Sequence, residues 1–66
     1  MAVIKVVEIM ADSKKSWEDA TARAVARTGK SVKNIKSAYV QSQSVVVSKN
    51  KVTSFRVSLK ISFEVK

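Results

Sequence analysis

The sequence predicts an α+β fold of three strands and one helix in the order β-α-β-β, with the helix packed on one face of an antiparallel-type sheet. Three observations carry this. Residues 2 to 11 are dense in β-branched side chains, residues 17 to 28 repeat apolar groups at helical spacing, and residues 52 to 65 alternate apolar with polar groups.

In the first segment, AVIKVVEIMA, Lys5 and Glu8 interrupt the apolar run at uneven spacing. Its alternation is weak, which predicts a strand with protein on both faces, the helix on one and a second subunit on the other. Asp12-Ser13-Lys14-Lys15 is a polar break. Ser16 followed three residues later by Asp19 is a short form of the N-terminal capping box. Trp17, Ala20, Thr21, Ala24, Val25 and Thr28 then make one stripe of a helix spanning about residues 16 to 30. Glu18 and Asp19 at its start and Arg27 near its end complement the helix dipole, and Gly29 is the expected C-terminal cap.

Residues 35 to 48 return to β-branched and small polar residues, a second strand. Its middle, Gln41-Ser42-Gln43-Ser44, is too polar for a plain core strand and reads as a solvated surface, a bulge or the lining of a binding cleft. Lys49-Asn50-Lys51 predicts a hairpin turn, because Asn tolerates the left-handed backbone that tight hairpins need. In the third strand Thr53, Phe55, Val57, Leu59, Ile61, Phe63 and Val65 face the core, and Ser54, Arg56, Ser58, Lys60, Ser62 and Glu64 face water. The first strand is expected beside the third.

The 66 residues make one domain, residues 1 to 66. A domain this small buries only about 60% of its unfolded surface and usually depends on disulfides, a metal or assembly. There is no Cys and no His, so disulfides, thiol chemistry, zinc sites and His-dependent triads are excluded, and a single Gly leaves no Gly-rich phosphate loop. Assembly with further copies is the remaining route to stability. An apolar content of 45% separates the chain from disordered basic tails despite a net charge of +8. No apolar run is long enough to span a membrane and the first residues lack a signal-peptide layout, so a soluble cytoplasmic protein is expected.

Trp17 and the two Phe residues sit at packing positions. The five carboxylates, Glu8, Asp12, Glu18, Asp19 and Glu64, form no general acid/base pair, and the chain is not expected to be an enzyme. Glu8 or Glu64, with partners from another subunit, is the one candidate for a hard cation. Arg56, Ser58 and Lys60 form the best strip for an anionic, phosphorylated ligand. Net charge alone points to nonspecific nucleic-acid binding, but the wet side of the third strand has no aromatic groups on which bases would stack.

The phrases KVVEI at 5 to 9, S-x-x-SWEDA at 13 to 20, NIKSAYV at 34 to 40 and FRVSLKISFEV at 55 to 65, in this order over the whole chain, resemble the dodecin family. The resemblance implies a small subunit of a hollow homododecamer that stores or sequesters flavin (riboflavin or FMN). It also implies that a Trp near the start of the second strand stacks on the flavin ring and that a Gln on the third strand bonds its polar edge. Those positions fall on Ser37 and Arg56, which depart from the pattern. Loss of an aromatic platform costs about 2 kcal/mol or more, so flavin binding should be weakened. Tyr39, two residues along the same strand, is either an interface or surface group or a substitute stacking platform, and Gln43 in the polar patch is a further candidate ligand contact.

Overall fold

The computed structural model describes residues 2–66 and contains β1 (Val3–Ser13), α1 (Trp17–Thr28), β2 (Ile35–Ser48) and β3 (Lys51–Val65). The strands form one antiparallel sheet in the order β1-β3-β2. The first strand does lie beside the third, as expected.

The alternation of β3 decides where the core is. Val57, Leu59 and Ile61 are fully buried beneath α1, together with Ala20 and Ala24 from the helix stripe. Val7, Ile9 and Ala11 of β1 and Ile35 and Ala38 of β2 close around them. Two alanines on the inner side of α1 let the helix approach the sheet closely. Trp17 covers one end of this core: its ring meets Phe55 edge to face with centroids 5.1 Å apart, and its indole Nε1 donates to the Ser44 carbonyl at 2.9 Å.

The start of α1 follows the capping pattern. Asp19 N–H donates to Ser16 Oγ at 2.9 Å. The Asp19 carboxylate in turn accepts from Ser13 Oγ at 2.6 Å and from Arg23 Nε at 2.8 Å, tying the end of β1 to the first helical turn.

Two expectations, both about the first strand, are corrected. Strand β1 runs two residues further than its apolar composition showed, so Asp12 and Ser13 are strand residues paired with Arg56 and Phe55 rather than part of a break. Its inward side is also regular, with Val7, Ile9 and Ala11 alternating against exposed Val6, Glu8 and Met10. The pattern was obscured because Ile4, Val6 and Met10 are apolar but point away from the helix. Gly29 is the C-terminal cap of α1, as expected, its N–H donating to the Val25 carbonyl at 2.9 Å, and it caps in a right-handed conformation with φ of −62°. The left-handed residues are Asn34, Lys49 and Asn50. The last two make the two-residue turn between β2 and β3, whose positive φ at both positions matches the twist of the flanking strands.

Candidate ligand-binding face

The face of the sheet turned away from α1 is ordered by the cross-strand register, because directly paired residues point to the same side. Along it run Val6, Ser62 and Ser37 in one row, Glu8, Lys60 and Tyr39 in the next, Met10, Ser58 and Ser42 in a third, and Asp12, Arg56 and Ser44 in a fourth. Ser37, Tyr39 and Arg56 are thus brought onto one surface. Gln43 is not: it pairs with Val57 and lies on the helix side.

The physical reason is an extra residue. The register of β2 against β3 shifts between Val40 and Ser42, so Gln41 has no partner and the alternation reverses beyond it. Counting by twos from Ser37 leads to Gln43, but past the bulge Ser42 and Ser44 take the outward positions. The polar patch therefore includes a bulge, one of the readings its composition left open.

Several of the outward groups have a local partner. The Ser37 and Ser62 hydroxyls hydrogen-bond to one another across the strands, and Ser62 Oγ also lies 3.5 Å from the Ser37 carbonyl. At Ser37 this surface has a pair of hydroxyls bonded to one another and no aromatic plane. Tyr39 is 65% exposed and stands opposite Lys60. It is the one aromatic ring on this face, since Trp17 and Phe55 belong to the helix side.

Charge on the face is balanced. Arg56 donates from Nε to Asp12 Oδ1 at 2.7 Å and from Nη2 to Asp12 Oδ2 at 3.1 Å, a two-pronged pair between direct cross-strand neighbours. The Lys60 ammonium lies 4.0 Å from Glu8, and that of Lys36 lies 3.7 Å from Glu64. The strip of Arg56, Ser58 and Lys60 is consequently neutralised by β1, not an open row of cations. Hydrogen bonding to Arg56 holds the Asp12 carboxyl below the usual aspartate range, and the same bond pushes the guanidinium up. Both groups are charged at neutral pH.

Asp12 is the residue that sequence reasoning missed. It lies 44 positions from Arg56, and only the fixed antiparallel register of β1 on β3 reveals the pairing. Among the described residues no three acidic side chains converge into a metal cluster; Glu8, Asp12 and Glu64 are separated along the face and each meets a basic group.

On the helix side lies an open cleft of about 560 Å³ between β1 and α1, floored by Val7, Ile9 and Ala11 and walled by Ala24, Thr28 and Arg27. Nearly all of its surface is apolar. Exposed Ile4, Val6 and Met10 continue the apolar character of β1 on its other side. No helix among the described residues is long and apolar enough to cross a membrane.

The dodecin family model matches residues 3–66, almost the full length of the chain. The chain belongs to the dodecin family. This dodecin is 38% identical over 66 residues to the calcium dodecin of Mycobacterium tuberculosis, covering all of this chain and 93% of that protein. The crystal structure of that relative, described as calcium chelating with a novel calcium-binding site, superposes with a TM-score of 0.85 over 97% of this chain and 91% of the other. A Thermus thermophilus dodecin variant at 24% identity gives a TM-score of 0.92 over 100% and 98% of the two chains, and Streptomyces coelicolor dodecin at 20% identity gives 0.93 over 98% and 93%. These last two establish the fold: three antiparallel strands and one helix in the order found here.

Proposed function

We propose that this dodecin is a non-enzymatic small-molecule binding and storage protein that closes into a homododecamer, with the sheet face opposite α1 as its ligand surface and flavin (riboflavin or FMN) as a weakly held ligand class. The observation that carries the reading is the placement of Ser37, Tyr39 and Arg56 together on that face. The resemblance to flavin-storing dodecins suggests the ligand class. The substitutions supply the weakening: the hydroxyl pair of Ser37 and Ser62 offers no plane to a flavin, and Arg56 is already engaged by Asp12.

Assembly is supported by what a single copy leaves uncovered. The apolar cleft beside β1 and the exposed Ile4, Val6 and Met10 are surfaces that contact between copies would remove from water. Titration of riboflavin and FMN with the flavin emission as readout tests the ligand. Weak quenching that saturates at high micromolar concentration is expected, and none at any attainable concentration removes flavin from the reading. Flavin emission is the proper signal, because Trp17 is turned to the helix side.

A second reading is favoured by the 38% identity to a calcium dodecin: a calcium ion held by carboxylates of more than one copy, with Glu8 or Glu64 as donors. Glu8 is the better placed, being 70% exposed and only loosely held by Lys60 at 4.0 Å. Calorimetry with calcium, repeated on Glu8→Gln and Glu64→Gln, separates this reading from the first; binding that survives both substitutions places the ion elsewhere.

A further inference from the structure

We propose that Asp12 is the specificity-determining residue of the ligand face, keeping it closed to anions by occupying Arg56; this rests on the reading of that face as the ligand surface. Arg56 is the natural anion receptor there. Its guanidinium lies on the central strand, half exposed, flanked by the Ser58 and Ser44 hydroxyl positions, and a guanidinium binds phosphate by the same two-pronged geometry that it uses for a carboxylate. In this chain that geometry is already used. Nε and Nη2 both go to Asp12, which is fixed opposite Arg56 by the β1-β3 register.

An external phosphate must therefore displace a carboxylate tethered beside its receptor, present at an effective concentration of about millimolar or higher. The neighbouring cations are weaker receptors, since Lys60 and Lys36 are point charges without the two-pronged geometry and each faces a carboxylate, Glu8 and Glu64. The net charge of +8 resides elsewhere, on side chains such as Lys14, Lys15, Arg27, Lys49 and Lys51, which lie in the loop before α1, on the helix and at the hairpin tip. A face built this way takes uncharged ligands in preference to phosphorylated ones. Replacing Asp12 by a neutral residue reverses the preference.

The test measures pyrophosphate binding by calorimetry at low salt for the wild type, Asp12→Asn, Asp12→Thr and the double variant Asp12→Asn/Arg56→Gln, with riboflavin and FMN titrated in parallel. Two single variants guard against a folding defect in either, and Thr suits a strand. The expected result is affinity for pyrophosphate at least about tenfold higher in both single variants than in the wild type, the scale of one charge-assisted hydrogen bond. That gain should shrink as salt rises and vanish in the double variant, while FMN gains on riboflavin. Equal pyrophosphate affinity in wild type and both single variants overturns the proposal, as does a gain that persists without Arg56. If riboflavin binds none of the proteins while the pyrophosphate gain appears, the flavin reading fails and the role of Asp12 stands.

Discussion

Asp12 and Asp19 show how much of this small chain's organisation depends on single carboxylates. Asp12 bridges β1 to β3 through Arg56, and Asp19 joins the end of β1 to the helix through Ser13 and Arg23. Both have carboxyls held below the ordinary aspartate value of 3.8, Asp12 mainly by its hydrogen bond to Arg56 and Asp19 mainly by that to Ser13. A depressed folded-state value means that the stabilisation is complete above the unfolded value and disappears as pH falls through the folded one. The thermal midpoint should therefore be level from neutrality to about pH 5 and drop below about pH 4. Asp12→Asn should flatten part of that drop. A midpoint that climbs on acidification would contradict the ion-pair account.

At the scale of elements, β3 is the organising strand, paired on both sides and buried at Val57, Leu59 and Ile61. Leu59→Ala removes a fully buried side chain and should destabilise the chain by about 2 to 5 kcal/mol, measured by urea unfolding with Trp17 emission as the probe. A loss below about 1 kcal/mol would show that the helix collapses onto the vacated space. This part of the fold was legible in the sequence, because strict alternation with β-branched residues has one inexpensive solution: a half-buried strand. The capping of α1 by Ser16 and the turn at Lys49-Asn50 were legible for the same reason, each being a local pattern with a local cause. What was hidden is non-local. Asp12 looked like punctuation because its partner is on another strand, and Gln43 was placed on the wrong side because a bulge cannot be seen in one strand without the other.

The whole molecule measures 50 × 19 × 14 Å, an elongated shape for 66 residues. The β2-β3 hairpin accounts for it, continuing past the end of β1 with Val47 and Val52 more than half exposed. A chain that leaves so much apolar surface open is expected to associate. Light scattering should give a mass of about 88 kDa, twelve copies of 7.3 kDa, and the thermal midpoint should rise with protein concentration. A compact 7.3 kDa species with a midpoint independent of concentration would refute assembly.

The unpaired Gln41 bears on how such a sheet changes over evolutionary time. Because Val40 and Ser42 already pair with the consecutive residues Leu59 and Ser58, removing Gln41 would close the bulge and leave Ser42 and Ser44 outward, with Gln43 and Val45 still against the helix. Point substitutions edit this surface one group at a time, and the spare residue lets the strand lose one codon here without exchanging its outward chemistry for what now rests against the helix.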